Sequence, residues 1–194
     1  MTDERILISR AQRGETDAFN ELVRRSRLNV YRLALGLTGN RHDAEDLSQD
    51  VFVKAYQSIG KFRGESKWDT WLYRITVNVC NDHRKLNRRT MVEYSEDERG
   101  TTAEREDRPA FTAPERAAEA GMIQAHIAKA MDALSPSERS VFVLRHYHDL
   151  PLKQIAQALD VAEGTVKSHL FRALQRLQRE LAFYRGELGL EEML

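Results

Sequence analysis

Apolar residues recur every three to four positions along most of the chain, and no stretch alternates with a period of two. This spacing predicts amphipathic α-helices rather than strands. In the first half it covers three long segments, residues 18–37, 43–59 and 68–86. Glycines interrupt the pattern where helices should end, at positions 14, 39, 60 and 64. Most of the first 90 residues are therefore predicted to form one all-α domain.

Helical spacing is lost over residues 91–114, which contain many acids, threonines and two prolines. A segment with so little apolar surface cannot offset the entropy cost of ordering. Apolar residues occur again at helical spacing over residues 115–134, 135–148, 152–159 and 163–184. We therefore expect an all-α fold of two small helical domains joined by a flexible acidic linker. The expected division is a first domain at 1–90, a linker at 91–118, a second domain with a helix-turn-helix at 119–185 and a tail at 186–194.

Composition supports this division and narrows the class of protein. The chain has 194 residues, 41% of them apolar and 31% charged, which is typical of a soluble globular protein. Its first residues lack the basic start and apolar stretch of a signal peptide, and no apolar run reaches 18 residues. Cys80 is the only cysteine, so an internal disulfide is excluded. We expect a cytoplasmic protein without membrane insertion.

The net charge is zero, but the charges are distributed unevenly. Residues 1–90 hold 17 Lys and Arg against 12 Asp and Glu, whereas residues 91–119 hold 4 against 9. Residues 120–194 hold 9 of each, and three of those acids lie in the final eight residues. Two mildly basic domains therefore flank an acidic connector, a distribution that permits contact with nucleic acid despite the neutral total.

Residues 150–174 have the pattern of a helix-turn-helix. A short helix with small Ala156 is followed by a turn, in which Val161 is expected to fill the corner, and by a second helix. Hydrogen-bond donors face outward from this second helix and suit phosphates and base edges of duplex DNA, namely Thr165, Lys167, Ser168, His169, Arg172 and Arg176. The alternative is a helical hairpin with a solvated basic face.

The segment from residue 62 to residue 89 combines a polar loop with a helix of two characters. On a helical wheel Trp68, Leu72, Ile75, Val79 and Leu86 form a stripe that is predicted to be buried. The adjacent flank is polar and basic, and aromatic faces beside cations are the usual means of holding an unpaired strand. The residues expected to line such a pocket or its flank are Phe62, Arg63, Gly64, Glu65, Ser66, Trp71, Arg74, Asn78 and Lys85. A core role for Trp71 stays equally open.

The helix predicted at residues 43–59 has an acidic face opposite its buried stripe. Asp46, Gln49, Asp50 and Val53 lie on that face, whereas the opposite stripe contains Ala44, Leu47, Val51 and Ala55. Such a face is either solvated or a docking surface for a basic partner helix, and periodicity leaves both open.

Three motifs occur in a fixed order, DAEDLSQDVFVKAY, FRGESKWDTWLYRITVN and LPLKQIAQALDVAEGTVKSHLFRA. Together they resemble the bacterial sigma factors of the extracytoplasmic-function (ECF) type over residues 5–90 and 120–182. The resemblance implies a dissociable specificity subunit of RNA polymerase, without a catalytic site, metal or cofactor of its own. Its implied partners are core RNA polymerase through the clamp of the largest subunit and the flap, promoter DNA and an anti-sigma factor.

The resemblance also implies a role for each group of residues. Asp46, Gln49, Asp50 and Val53 match the face that grips the clamp, and the loop at 62–66 with its helix matches the part that captures the unpaired strand of the −10 element. The helix-turn-helix donors match recognition positions for the −35 duplex, and the acidic linker matches the segment near the RNA exit. His169 stands where Arg is common, and a neutral imidazole cannot make the bidentate contact of Arg to guanine.

Two other classes of protein remain as alternatives. A ligand- or phosphorylation-controlled activator would also contain a helix-turn-helix, but it would need an effector or phosphoacceptor domain that residues 1–90 do not suggest. An enzyme would need ligands or nucleophiles, and the candidates are His146 with His148 and Asp149, or Cys80 with His83. Neither set provides a complete metal site at helical spacing.

Overall fold

The computed structural model describes residues 3–94 and 114–182. Within these ranges the chain is helical and contains no strand. The helices are α1 (Glu4–Gln12), α2 (Thr16–Thr38), α3 (Arg41–Ser58), a short 3-10 helix (Ile59–Lys61), α4 (Trp68–Tyr94), α5 (Pro114–Asp132), α6 (Pro136–His146), α7 (Leu152–Leu159) and α8 (Glu163–Glu180). The predicted all-α fold of two helical domains is confirmed.

Both ends of the expected acidic linker are helical. Helix α4 continues to Tyr94 and α5 begins at Pro114, so residues 91–94 and 114–118 belong to helices. Residues 95–113 of the linker, and the tail at 186–194, lie outside the described residues.

The first domain is built on α2, against which α1, α3 and α4 pack. Val30, Leu33 and Ala34 of α2 are completely buried at its centre. The apolar stripe predicted on α3 is buried as expected, and it leaves the acidic face of that helix in solvent. Burial of side chains this size typically contributes about 1.5–3 kcal/mol each for Val and Leu, so this core carries most of the domain's stability.

The connection between α2 and α3 shows how local sequence ends one helix and begins the next. Gly39 adopts a left-handed conformation with φ of 75°, and its N–H donates to the Leu35 carbonyl at 2.8 Å. Asn40 then accepts from the Asp43 N–H through its side chain, which caps α3. Glycine after a helix and asparagine before the next are the residues that these positions favour.

Helix α4 buries the first part of its predicted stripe and exposes the last. Trp68, Leu72 and Val79 are buried, Ile75 is half-buried and Leu86 is 60% exposed, so the prediction for Leu86 was wrong. After Cys80 the helix extends past the part of the domain that covers it, and the side chains of residues 81–87 are exposed or half-buried.

In the second domain α6, α7 and α8 pack on one another, and their buried residues belong to the same hydrophobic cluster as those of the first domain. A capping box begins α6: the Glu138 N–H donates to the Ser135 hydroxyl, and the Ser135 N–H donates to the Glu138 carboxylate. Asp160, with φ of 57°, ends α7 and turns the chain toward α8. Val161 was expected to fill this corner but is 38% exposed, because the left-handed turn directs it away from the core.

The two domains pack against each other through α2 with α6 and through α4 with α7. Gly36 of α2 lies against Val143 of α6, and a Cβ atom on Gly36 would be 2.7 Å from Val143 Cγ1. The buried Arg139 donates from Nε to the Gly36 carbonyl at 3.1 Å. Residues that lie far apart in the chain therefore form a continuous packed contact.

Candidate nucleic-acid interface

A polar cavity of about 440 Å³ lies between the loop before α4 and the turn after α7. The structure brings most of the predicted loop residues to its wall. The lining residues are Lys61, Phe62, Arg63, Glu65, Ser66, Thr70, Trp71, Arg74, Gln157 and Asp160. Three cations, Lys61, Arg63 and Arg74, line the wall against two acids, Glu65 and Asp160, so positive charge is in slight excess there. An excess of positive charge suits a phosphodiester chain.

Two aromatic rings, Phe62 and Trp71, line this cavity, and a third, Trp68, packs against both. Phe62 contacts Trp68 edge to face at 5.8 Å and Trp71 at 5.2 Å between ring centroids, and the two tryptophans are 5.1 Å apart. Phe62 and Trp68 are only 8% and 1% exposed, so both belong mainly to the core. Trp71 is half-buried and borders the cavity, which makes it the ring available to a ligand.

A hydrogen-bonded chain holds Trp68 in place beneath Trp71. The Trp68 indole N–H donates to the Ser26 hydroxyl at 3.1 Å, and that hydroxyl donates to the Asp69 carboxylate at 3.3 Å. Burial raises the pKa of Asp69, which the hydrogen bond from Ser26 partly counteracts. The buried indole is therefore satisfied, as a tryptophan in a core requires.

The loop at residues 62–66 is fixed at its start and open at its tip. Gln12 of α1 donates from Nε2 to the carbonyls of Ile59 and Phe62, at 3.1 and 2.8 Å. Gly64 has φ of 72°, a conformation that favours glycine. Arg63 and Glu65 on either side expose 84% and 80% of their side chains. The Arg63 guanidinium lies 4.0 Å from the Glu65 carboxylate, so the loop tip presents an exposed ion pair.

Arg74 is held by the second domain. Its Nη2 donates to the Gln157 carbonyl at 2.8 Å and lies 3.3 Å from the Asp160 carboxylate. The sequence did not point to Gln157 or Asp160 as part of this site, because both lie more than 80 positions away. The sequence indicated a turn at Asp160 but gave no indication that this residue contacts Arg74.

The other predicted residues of α4 lie further along the helix and do not line the cavity. Asn78 and Lys85 are exposed. The Lys85 ammonium is 3.5 Å from the Asp82 carboxylate, an exposed pair that contributes little to stability. Both remain placed on the flank along which a strand leaving the cavity would pass.

The acidic face of α3 is in solvent, as its spacing predicted. Asp46, Gln49 and Asp50 are exposed, and Val53 exposes 54% of its surface. Tyr56, one helical turn beyond Val53, is 47% exposed and extends the apolar end of the face. Tyr56 lies three positions after Val53, and this spacing could have identified it from the sequence as part of the same face.

The helix-turn-helix presents its donors unequally. Lys167, Ser168 and Arg172 are exposed, whereas Thr165 and His169 are half-buried. The Arg172 Nε donates to the Ser168 carbonyl at 3.2 Å, which leaves the rest of its guanidinium free to reach outward. Nδ1 of His169 is buried and has no hydrogen-bond partner among the described residues.

Arg176, which the sequence predicts to contact DNA, also makes contacts within the second domain. Its Nη1 donates to the Ala133 carbonyl at 3.1 Å, and its Nε is 3.5 Å from the carboxylate of Glu138, whose side chain is 4% exposed. Burial disfavours the charged form of Glu138, but the hydrogen bonds with Ser135 and the charge of Arg176 hold its pKa below the ordinary value. Arg176 thus ties α8 to the start of α6, and the sequence missed this because it could not place α6.

His148 lies between the domains. Its ring meets Tyr73 of α4 edge to face, at 5.2 Å between centroids, and its Nε2 is buried and unpartnered among the described residues. Burial lowers the pKa of His148, Arg32 of α2 lowers it further and Asp149 partly opposes the shift. Burial also raises the pKa of Tyr73 to about 12, so the ring stays neutral.

The remaining candidates from the enzyme alternative do not come together. His146 packs on Phe142 at 4.6 Å, away from the Tyr73 contact of His148. Cys80 is buried, and burial raises the pKa of its thiol to about 12. Across residues 3–94 and 114–182 no cluster of three His, Cys, Asp or Glu side chains is placed to hold a metal, and no helix there could span a membrane.

Comparison with known families matches two separate segments of the chain. Residues 22–90 match Sigma-70 region 2 and residues 125–177 match Sigma-70, region 4. The first match contains the acidic face and the cavity loop, and the second contains the helix-turn-helix. Together they cover well over half of the sequence.

Individual relatives extend the similarity over nearly the whole chain. The RNA polymerase sigma-H factor of Pseudomonas aeruginosa is 31% identical over 181 residues, covering 90% of this chain and 92% of that protein. The ECF RNA polymerase sigma factor SigW of Bacillus subtilis is 30% identical over 178 residues, covering 90% and 94%. Among solved structures, the sigma factor RpoE of Bartonella quintana, in complex with the anti-sigma factor NepR, has a TM-score of 0.63 at 22% identity, covering 84% of this chain and 96% of that chain. The chain belongs to the sigma-70 family of RNA polymerase sigma factors, in its extracytoplasmic-function group.

Proposed function

We propose that this sigma factor directs core RNA polymerase to promoters by contacting two elements in different states. The helix-turn-helix of residues 119–185 reads the −35 element as intact duplex. The domain of residues 1–90 captures an unpaired base of the −10 element in the cavity beside Trp71. The observation that carries this proposal is the cavity itself, where cationic side chains surround one accessible aromatic ring.

The energetics suit capture of an exposed base. Stacking of a base on an aromatic side chain contributes about 1–3 kcal/mol, and extruding a base from a duplex costs a few kcal/mol. One captured base with contacts from Arg63 and Arg74 to the adjacent phosphates therefore offsets the local loss of pairing. Trp71 provides the face, and the buried Phe62 and Trp68 hold its ring in a fixed orientation.

Duplex recognition is assigned to the N-terminal half of α8. Lys167, Ser168 and Arg172 are exposed there and contact phosphates or base edges in the major groove. Thr165 and His169 are half-buried at the edge of this surface and provide closer, more selective contacts. Arg176 contacts the phosphate backbone at the end of this surface, where its contacts with Glu138 and Ala133 set the position of its side chain.

The partners follow from the exposed surfaces. The acidic face of α3, with Val53 at its apolar end, docks on a basic helix of the polymerase clamp, and the second domain meets the flap. The linker at 91–118 runs near the RNA exit. The solved relative from Bartonella quintana is held by an anti-sigma factor, which supports the proposal that an anti-sigma factor controls this chain as well. The chain acts as a specificity subunit and leaves catalysis to the polymerase.

Competition for core polymerase tests the docking assignment. Asp50→Arg places a positive charge in the middle of the exposed acidic face, so it should repel a basic partner helix and abolish competition with wild-type protein. Glu180→Arg makes the same change of charge at an exposed position of α8 and should compete normally. Equal competition by both variants would overturn the assignment of α3 as the docking helix.

A further inference from the structure

Thr70 of α4 has a hydroxyl group that no other described residue engages. Among the described residues, the polar or charged ones that are almost completely buried are Ser26, Thr70, Thr76, Glu138, Arg139 and Ser140. All of these except Thr70 make side-chain hydrogen bonds. Thr70 is 3% exposed, and its hydroxyl has no hydrogen-bond partner in the part of the chain that the structure describes. Buried hydroxyl groups are almost always paired, so an unpaired one requires an explanation.

The place of Thr70 in the fold gives its hydroxyl access to the cavity. Thr70 lines the cavity wall directly before Trp71 and one helical turn before Arg74, so the three side chains are neighbours on α4. Within the described ranges, the unpaired side-chain atoms that are fully enclosed are Nε2 of His148 and Nδ1 of His169. The Thr70 oxygen is not among them, so it remains open to the cavity and to a ligand there.

A structural role does not account for this hydroxyl. A threonine inside a helix commonly donates to the carbonyl four residues earlier, as Thr76 does to Leu72 at 2.8 Å. Thr70 lies in the first turn of α4, where the residue four positions earlier is Ser66 of the loop. A valine has the same branched shape and would fill the space without a polar group that lacks a partner. The hydroxyl is therefore better explained by a ligand than by packing.

We propose that Thr70 is a specificity-determining residue, whose hydroxyl makes a hydrogen bond to the edge of the unpaired base held against Trp71. This inference rests on the proposed function of the cavity. A ring such as that of Trp71 stacks on any base, because every base has a π-face. A nearly buried hydroxyl distinguishes bases by the donors and acceptors on their edges, because a base that cannot pair leaves polar groups unsatisfied.

This assignment divides the work of the cavity between three kinds of side chain. Arg63 and Arg74 contact phosphates, which are the same for every base, so they contribute affinity without selecting a sequence. Trp71 contributes affinity through its ring. Thr70 contributes the selection, since a hydroxyl both donates and accepts and requires a matching group on the base.

Thr70→Val removes the hydroxyl and keeps the branched shape and a similar helix propensity. No hydrogen bond to another described residue is lost, so the melting temperature should not fall. The preference for one base at one position of the opened promoter segment should fall by about 2- to 10-fold, the usual effect of one hydrogen bond. Thr70→Ser keeps the hydroxyl and should keep the preference.

Thr76→Val is the matched control. Thr76 lies on the same helix and is completely buried, but it is not one of the residues that line the cavity. The substitution removes the same group from a position where the hydroxyl is already paired with Leu72. It should therefore leave the base preference unchanged at every position.

The experiment selects transcribed promoters from a library with a randomised opened segment, using core polymerase and full-length wild-type or variant protein. Sequencing gives the preference at each position, and circular dichroism during heating gives the melting temperature of the free protein. A preference lost at one position in Thr70→Val alone would support the inference. A Thr70→Val profile equal to that of wild type would overturn it, and so would an equal loss in Thr70→Ser. A fall in the melting temperature of Thr70→Val by more than about 4 °C would also overturn it, because the hydroxyl would then stabilise the fold.

Trp71→Ala separates this inference from the proposed function. If the polymerase complex of Trp71→Ala holds an unpaired promoter strand as tightly as the wild-type complex, the proposed function of the cavity fails, and the role of Thr70 fails with it. If Trp71→Ala weakens strand binding but Thr70→Val leaves the base preferences unchanged, only the role of Thr70 is refuted.

Discussion

Replacing each of the two tryptophans of α4 by alanine should separate a packing role from a binding role. Trp68 is 1% exposed and donates to Ser26, whereas Trp71 is half-buried and borders the cavity. Replacing a buried tryptophan by alanine typically lowers the free energy of unfolding by about 3–5 kcal/mol. Loss of the hydrogen bond to Ser26 accounts for about 1 kcal/mol. Trp68→Ala should therefore lower the free energy of unfolding by about 3–5 kcal/mol.

Trp71→Ala should have the opposite profile. Its half-exposed ring loses less burial, so we expect about half of the stability loss seen at Trp68. In the polymerase complex, however, the loss of one stacking surface should weaken capture of an unpaired strand by about 1–3 kcal/mol, which is about 5- to 150-fold. Trp71→Phe, which retains a ring face, should recover most of that affinity.

The assay combines urea unfolding, followed by circular dichroism, with strand binding measured on the assembled polymerase. If Trp68→Ala is too unstable to purify, Trp68→Phe provides the same comparison with a smaller loss. A Trp71→Ala protein that is as destabilised as Trp68→Ala but captures the strand with wild-type affinity would refute the reasoning. Trp71 would then be a core residue, and the cavity would lose its aromatic face.

Three further predictions each concern a single side chain. Because burial lowers the pKa of His148 in the folded protein, the free energy of unfolding should be highest above the ordinary pKa of about 6.5 and should fall as the pH drops below that value. Urea unfolding across this range should show the loss, which His148→Gln removes and His146→Gln keeps, and an unchanged free energy of unfolding in wild type would contradict it. Arg176→Ala should destabilise the protein by about 1–2 kcal/mol by removing the ion pair of the nearly buried Glu138 carboxylate, measured by urea unfolding. Lys167→Ala should change the free energy of unfolding by less than about 0.5 kcal/mol, and it should lower by about 1 the slope of log affinity for duplex DNA against log salt concentration. Unchanged stability of Arg176→Ala, together with a destabilised Lys167→Ala protein whose slope is unchanged, would refute both assignments.

Much of the fold was predictable because helix periodicity and punctuation are local properties. The buried stripe of α3 and the ends of helices near Gly39 and Asn40 follow from spacing and residue type alone. The same spacing wrongly predicted that Leu86 is buried, because α4 extends beyond the helices that pack on it. A wheel shows which residues share a face, but only the packing partners decide how far along the helix that face is covered.

The candidate site was predictable in part, for a related reason. The loop residues meet around one cavity because they are close in sequence, and the structure adds the distinction between the buried Phe62 and the accessible Trp71. The contacts of Arg74 with Asp160 and of Arg176 with Glu138 could not be predicted. Both join residues whose proximity depends on how separate helices pack, and no local pattern specifies that.

The most direct test of the account is photo-cross-linking of the non-template promoter strand in a transcribing complex of this protein with core polymerase. A cross-linkable base placed in turn at each position of the opened segment should react at one or two adjacent positions with the loop at 62–66 or with Trp71. The account predicts that Trp71→Ala reduces this product. Cross-links that form only elsewhere on the chain, with the loop and α4 unmodified in an actively transcribing complex, would contradict the claim that this cavity captures the unpaired strand.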